Sequence, residues 1–132
     1  MLVKDIMTTE NKLVLVSPMD TVRDAMKNMK DNTVRSVIVQ KSGVSGAYGI
    51  LTFKNILETI VAEEGDIDLL NVYDVATTPA ISISAHIEVK YAARMMVSQS
   101  IKRLLIIDNN ELQGILTMSD IINVLMDDID NH

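Results

Sequence analysis

The chain has 132 residues, of which 48% are hydrophobic and only 3% aromatic, so its core must consist mainly of aliphatic side chains. The net charge of −6 disfavours nucleic-acid binding, because contacts to phosphate need an excess of Lys and Arg. No apolar run approaches the about 20 residues of a membrane-spanning helix. The lack of cysteine excludes disulfides and thiol chemistry, and the opening residues lack a signal-peptide pattern, so we expect a cytoplasmic protein.

The chain contains an internal repeat. Residues 3–9 align with 72–78 at an offset of 69 (Asp74 against Asp5), and a helical pattern recurs at an offset of 67 (Val89 against Val22). The sequence Gly-Ile-Leu-Thr occurs at 49–52 and again 65 residues later, at 114–117. The order is kept while the offset falls in small steps, as short loop insertions in the first copy would produce. We predict two repeats, residues 1–64 and 72–132, joined by a linker at 65–71.

Each repeat is predicted to fold as β-α-β-β-α. An opening turn ends in Thr-Thr, and a first strand follows at 13–16 in repeat one and at 80–83 in repeat two. A helix comes next, with Ser17 or Asp20 as the expected cap in repeat one. Its apolar residues have helical spacing: Val22, Ala25, Met26 and Met29 in repeat one, and Val89, Ala92, Ala93 and Met96 in repeat two.

Two further strands and a closing helix complete each repeat. The strands are predicted at 36–39 and 47–51, and at 104–107 and 112–116, with hairpin turns at 41–46 and 108–111. The residues expected to face inward from the closing helices are Ile56, Leu57, Ile60 and Val61, and Ile121, Ile122, Leu125 and Met126. The acidic runs at 63–68 and 127–130 lack calcium-loop spacing and are interpreted as a solvated linker and tail. One such repeat would be only marginally stable alone, so we expect an α+β fold in which the two sheets pack together with pseudo-twofold symmetry.

The chemistry is concentrated where the last strand of each repeat ends in Thr and a helix begins. In repeat two, Thr117 is followed by Asp120, whose carboxylate can accept both hydroxyl groups of a ribose, and the helix N–H groups near Ser119 can meet a phosphate. The same spacing describes a helix capping box, which needs no ligand. In repeat one, Thr52 is followed by Asn55, which has a single acceptor oxygen. We expect capping to be the main role of Thr52 and Asn55, and the Asp120 site to be the better ligand site.

Taken together, these motifs resemble the CBS (cystathionine beta-synthase) domain, which occurs as tandem pairs. The resemblance covers Asp-Ile-Met-Thr at 5–8, the Ala25-to-Met29 helix, Val-Arg-Ser-Val-Ile-Val at 34–39, and the Gly-Ile-Leu-Thr junction in both halves. It implies a disc-like pair with up to two clefts that bind AMP, ADP, ATP, S-adenosylmethionine or NAD. Three departures stand out: Leu105 replaces a usual proline, Asp-Val-Ala-Thr at 74–77 replaces Asp-Ile-Met-Thr, and Asn55 replaces the preferred Asp.

The resemblance also implies residues around a bound nucleotide. Thr77, Ala80 and Ile81 are candidates for the adenine-binding end. The cations that can meet phosphate are Arg35, Lys54, Lys102 and Arg103. Solvated surface charge is the alternative for each of them, and a neutral adenosine compound is favoured if none turns inward.

We therefore predict a CBS-pair regulatory module without enzymatic activity or cofactor, with AMP or ATP as the favoured ligand. The resemblance implies a homodimer that signals to a separate effector protein. The alternative is a ligand-free module that dimerises through Met-rich helix faces. His86 and His132 lack metal-ligand spacing, and no Ser–His–Asp, Cys–His or phosphate-loop pattern supports a metal or catalytic site.

Overall fold

The computed structural model describes residues 1–43 and 46–130. The chain forms two compact units. Val14–Ala80 forms the first, called here the continuous unit. Met1–Leu13 and residues 81–130 form the second, called here the split unit because its two parts are far apart in sequence. Within the described residues, no helix is both long and apolar enough to span a membrane.

The continuous unit contains a three-stranded sheet in the order β2-β3-β4. Its elements are β2 (Leu15–Val16), α1 (Val22–Asp31), β3 (Ser36–Val39), β4 (Gly49–Thr52), α2 (Phe53–Ile56, continuing as a π-helix over Leu57–Ala62) and α3 (Val72–Val75). Strand β2 is parallel to β3 because α1 connects them as a crossover, whereas β3 and β4 are antiparallel. The predicted hairpin turn at 41–46 includes residues 44 and 45, which lie outside the described residues.

Helix α1 packs its predicted apolar face into the core. Val22, Ala25 and Met29 are buried in one hydrophobic cluster with the strands. The cap is Thr21, whose hydroxyl accepts a hydrogen bond from the Asp24 backbone N–H at 3.1 Å. The expectation of Ser17 or Asp20 was wrong, because those two residues bond each other: the Asp20 carboxylate accepts from the Ser17 N–H at 2.9 Å.

The split unit contains a four-stranded sheet in the order β1-β7-β6-β5. Its elements are a 3-10 turn (Val3–Asp5), β1 (Thr8–Thr9), a second 3-10 turn (Glu10–Lys12), β5 (Ser82–Ile83), α4 (Val89–Ser98), β6 (Arg103–Asp108), β7 (Glu111–Thr117) and α5 (Met118–Asp130). Between β6 and β7, Asn109 and Asn110 have φ angles of 54° and 61°. Two consecutive residues with positive φ form a type I′ turn, which confirms the hairpin predicted at 108–111.

A carboxylate at the end of β6 fixes the turn that precedes α4. The Ser84 hydroxyl donates to Asp108 at 2.6 Å, and the Ala85 N–H donates to its other oxygen at 3.0 Å. These two hydrogen bonds, that of Ser84 first, hold the pKa of Asp108 below its ordinary value of 3.8.

The opening segments of the two sequence repeats are exchanged: each compact unit contains the opening segment of the other repeat. Val3, from the start of repeat one, is buried with Leu104 and Leu116 of repeat two. Conversely, Val72 and Val75, from the start of repeat two, are buried in the cluster of α1. The predicted boundaries 1–64 and 72–132 therefore describe sequence copies, whereas each folded unit contains parts of both copies.

The first strand of each repeat is shorter than predicted. For the strand of repeat two, the exchange of opening segments explains the difference. The Ala80 N–H donates to the Tyr48 carbonyl in the continuous unit at 2.9 Å. Strand β5 starts two residues later, at Ser82, and pairs with β6 in the split unit. The strand predicted at 80–83 thus spans the boundary between the two units.

The acidic run after the π-helix is bound to α1. The carbonyls of Leu70 and Ile67 accept hydrogen bonds from the Val22 and Arg23 N–H groups at 2.9 and 3.0 Å, which satisfies two free donors at the start of the helix. The Arg23 guanidinium also binds both oxygens of Asp68, and this hydrogen bonding lowers the pKa of Asp68. The acidic side chains are exposed, as expected for a solvated linker, but the backbone of Ile67 and Leu70 is bonded to α1.

The closing helices bury fewer residues than predicted. Ile56 and Ile60 pack against one core, and Ile121 against the other. The remaining five predicted inward residues are exposed: Leu57, Val61, Ile122, Leu125 and Met126. Adjacent residues on a helix point about 100° apart, which explains why Leu57, Val61 and Ile122 turn away from the core that their neighbours contact. Leu125 and Met126 are both exposed. Helix α5 also continues through the predicted acidic tail to Asp130.

Candidate functional site

The junction between β7 and α5 forms the capping box that its spacing predicts. The Thr117 hydroxyl accepts from the Asp120 N–H at 3.1 Å, and one oxygen of Asp120, Oδ2, accepts from the Thr117 N–H at 2.8 Å. The other oxygen, Oδ1, has no hydrogen-bond partner among residues 1–43 and 46–130. Capping therefore occupies only half of this carboxylate, and the remaining oxygen can accept a ligand hydroxyl.

The equivalent junction in the continuous unit is fully occupied. The amide oxygen of Asn55 accepts from both the N–H and the hydroxyl of Thr52, at 2.9 and 3.0 Å. The Asn55 N–H donates to the Thr52 hydroxyl at 3.3 Å, which completes the capping box. The amide nitrogen of Asn55 donates to the Thr77 hydroxyl at 3.2 Å. An amide oxygen has two lone pairs, so Asn55 keeps no acceptor for a ribose.

The structure divides the three candidates for the adenine-binding end between the two units. Thr77 pairs with Ile50 through two backbone hydrogen bonds of 2.9 and 3.0 Å, so it lies beside Asn55. Ala80 belongs to the continuous unit as well, whereas Ile81 belongs to the split unit. The Ile81 carbonyl accepts from the Leu105 N–H at 3.0 Å, a bond that the proline usual at position 105 could not donate.

The residue that corresponds to Thr77 in the split unit is Thr8, which the sequence analysis did not select. Thr8 lies opposite Ile115 in the ladder, as Thr77 lies opposite Ile50. Within the described part of the chain its hydroxyl has no hydrogen-bond partner. The alignment of 3–9 with 72–78 already equated the two threonines, but only the exchange of opening segments shows that Thr8 belongs beside the Thr117 junction.

A glycine at each junction allows the opening segment to lie close. A Cβ on Gly114 would come well inside 3.0 Å of the Thr8 carbonyl oxygen. A Cβ on Gly49 would come equally close to the Thr78 hydroxyl and 3.0 Å from the Thr77 carbonyl oxygen. Glycine in the Gly-Ile-Leu-Thr motif is thus a requirement of strand packing rather than of the helix start.

Two of the four candidate cations, Arg103 and Lys102, lie beside the Asp120 junction. Arg103 is directly opposite Thr117 in the β6–β7 ladder, and directly opposite residues have Cβ atoms about 5 Å apart. The position opposite Thr52 in the continuous unit is occupied by Ser36. The residue opposite the junction threonine is therefore an arginine in the split unit and a serine in the continuous unit.

Lys102 and two other candidate residues have exposed side chains. Ser119 and Lys102 are exposed, and the Lys102 carbonyl accepts from the Met118 N–H at 3.0 Å. Lys54 has an 82% exposed side chain and pairs with Glu58 at 3.8 Å on the same helix, as a surface charge would.

Arg35 lines a shallow pocket in the continuous unit. The pocket has a volume of about 360 Å³ and is lined by Met29, Lys30, Thr33, Val34, Arg35 and Phe53. None of these residues belongs to the Thr52–Asn55–Thr77 cluster. No group of three or more potential metal-ligating side chains occurs in the described ranges 1–43 and 46–130.

Comparison with known proteins identifies the family. The model of the CBS domain matches residues 3–62 and again residues 72–127. The chain belongs to the CBS domain family. The membership and the α+β fold with two repeats, both expected from the sequence, are confirmed.

Several relatives of this CBS pair are known. The CBS domain-containing protein YhcV of Bacillus subtilis is 33% identical over 119 residues, covering 90% of this chain and 81% of YhcV. The uncharacterized protein MK0525 of Methanopyrus kandleri is 30% identical over 109 residues, and the match spans only 55% of its length. The crystal structure of CBSX2 from Arabidopsis thaliana in complex with AMP has a TM-score of 0.79 at 21% identity and covers 96% of both chains. It shows that the fold is shared.

Proposed function

We propose that this CBS pair is a regulatory module that binds an adenosine-containing compound, with AMP or ATP favoured, at the Thr117–Asp120 junction, and that occupancy is passed to a partner protein. The observation that supports this proposal most directly is the unused half of the Asp120 carboxylate. A ribose presents two adjacent hydroxyl donors, and a carboxylate oxygen bonds such donors about twice as strongly as a neutral acceptor.

Two neighbouring groups support the same assignment. The Thr8 hydroxyl supplies a further donor and acceptor on the opening segment that lies against β7. Arg103 supplies a positive charge opposite Thr117, which favours a phosphorylated compound over a neutral nucleoside. The fold is also that of CBSX2, whose crystal structure contains AMP. None of these roles requires a catalytic group.

A thermal-shift series tests the proposal. AMP, ADP, ATP, S-adenosylmethionine and NADH are added in turn at up to millimolar concentration. A compound at 100 times its dissociation constant stabilises the folded state by about 2.7 kcal/mol, which raises the melting temperature by several degrees in a chain of this size. If none of the five compounds produces a shift, the proposal is wrong.

The Asp120→Asn variant locates the site. Asn55 shows that asparagine forms the same capping box, so this substitution keeps the helix cap and removes only the anion. We expect apo stability close to that of the wild type and loss of the ligand-induced shift. Lys54→Ala is the matched control, because Lys54 is a surface residue of the other unit and its removal should leave the shift intact. An unchanged shift in Asp120→Asn would place the ligand elsewhere.

A second candidate function, an interaction module that forms a homodimer without ligand, is supported by the outer face of α5. Its exposed side chains are Ile122, Leu125, Met126 and Ile129, between 48% and 69% accessible. Exposed apolar residues in a continuous helical stripe are typical of protein contacts. Leu125→Glu should convert a dimer to a monomer in light scattering if this face is the contact, and an unchanged mass would exclude it.

A further inference from the structure

The two junctions of the chain are built on the same backbone plan but differ in hydrogen bonding. In the continuous unit, the Asn55 amide uses its oxygen on Thr52 and its nitrogen on Thr77. In the split unit, Asp120 uses one oxygen on Thr117 and leaves the other without a partner among the described residues, and the Thr8 hydroxyl is likewise unbonded there. One junction is closed by the protein itself, and the other is open.

We propose that Asn55 closes the continuous-unit junction to nucleotides, so that the chain has one nucleotide site instead of two. This inference rests on the proposed function for its ligand. The closure has two parts. The amide oxygen has no lone pair left for a ribose hydroxyl, and the amide nitrogen ties the opening segment of repeat two, through Thr77, to the start of α2.

The identity of the amide atoms follows from the geometry. The Thr52 backbone N–H can only donate, so the Asn55 atom 2.9 Å from it must be the carbonyl oxygen. The other atom is then the NH2 group, and it donates to the Thr77 hydroxyl. A carboxylate has no such donor. Asp120 therefore cannot donate a matching bond to Thr8.

Reciprocal substitutions measure the number of sites. Titration calorimetry with AMP should give one molecule per chain for the wild type, two for Asn55→Asp and none for Asp120→Asn. Because Ser36 stands where the open junction has Arg103, the double variant Ser36→Arg/Asn55→Asp should bind the second AMP more tightly than the single variant. Two molecules per wild-type chain would overturn the inference while leaving the proposed function intact. If neither Asn55 variant exceeds one molecule, the inference is also overturned.

A measurement without nucleotide tests the hydrogen bond between Asn55 and Thr77 directly. This test remains decisive if AMP does not bind at all. Thr77→Val removes the acceptor of the amide bond and leaves the capping box intact, whereas Thr77→Ser keeps the hydroxyl. Loss of one neutral hydrogen bond should speed exchange of the residue 77 and Ala80 amide hydrogens about fivefold in Thr77→Val, and Thr77→Ser should restore the wild-type rate. Equal exchange rates in all three proteins would show that Asn55 does not hold the segment.

Discussion

Substitution of the glycines at the two junctions should have unequal effects. In Gly114→Ala, the new Cβ would overlap the Thr8 carbonyl oxygen, which is a backbone atom of the paired strand β1. It can be accommodated only if β1 moves away by roughly an ångström, which weakens its pairing with β7. In Gly49→Ala, the closest atom is the Thr78 hydroxyl, which can turn aside at little cost, and the nearest backbone atom, the Thr77 carbonyl oxygen, is farther away at 3.0 Å.

Overpacking of a well-packed site typically costs about 1–3 kcal/mol. We place Gly114→Ala near the upper end, at about 2–3 kcal/mol, because the clash also disrupts ladder bonds, and Gly49→Ala near about 1 kcal/mol. For a chain of this size each kcal/mol lowers the melting temperature by roughly 3–4 °C. Thermal unfolding followed by circular dichroism should therefore separate the two variants by several degrees. An equal loss in both, or no loss in Gly114→Ala, would refute the reasoning from close approach.

Three further predictions concern stability. Because the pKa of Asp108 is lowered in the folded state, its bonds to Ser84 and Ala85 stabilise the fold at pH values above its unfolded pKa. This contribution is lost as the pH falls through the folded-state pKa of Asp108. Urea unfolding should therefore show Asp108→Asn to be destabilised at pH 7, with a difference from the wild type that shrinks below about pH 4. Thr33 and Ser100 follow helices α1 and α4 with φ angles of 54° and 55°, so Thr33→Gly and Ser100→Gly should each raise the free energy of unfolding by about 0.5–1 kcal/mol; a decrease would contradict the backbone argument. Thr21→Ala removes the cap of α1 and should cost about 1 kcal/mol in the same assay, whereas no change would show that the cap is dispensable.

Helical periodicity and the repeat were sufficient to predict most helices and strands, but not the exchange of opening segments. The spacing of Val22, Ala25 and Met29 identifies the buried face of α1, and Asn109-Asn110 identifies a hairpin, because both patterns act over a few residues. The closing helices were less predictable. Leu57 and Ile122 are as apolar as their partly buried neighbours Ile56 and Ile121, and only the position of the sheet determines which member of each pair is covered.

Only the local part of the candidate site could be predicted from the sequence. The pairing of Thr117 with Asp120 is local, so its spacing was informative. The association of Thr8 with that junction depends on a strand pairing between residues more than 100 positions apart, and no local pattern encodes it. The same applies to Thr77, whose position beside Asn55 depends on its pairing with Ile50.

The proposed nucleotide binding would have a mechanical consequence, because the opening segments of the repeats are exchanged. A ligand held by both Thr8 and Asp120 joins the opening segment of repeat one to the last junction of repeat two. In the continuous unit, the Asn55 amide already provides the corresponding link to Thr77. Ligand should therefore strengthen attachment of the opening segment in the split unit only.

Amide exchange can resolve this difference. The Val3 and Lys4 N–H groups bond the Ile87 and Ala85 carbonyls at 2.8 and 2.9 Å, and the equivalent Val72 and Tyr73 N–H groups bond Asp20 and Pro18. If detachment of the opening segment requires loss of ligand, AMP at 100 times its dissociation constant should slow exchange at Val3 and Lys4 by up to about 100-fold. Val72 and Tyr73 should exchange at their apo rates. Equal protection of both pairs would show that the ligand stabilises the chain globally, and the opening segment of repeat one would then not be its point of action.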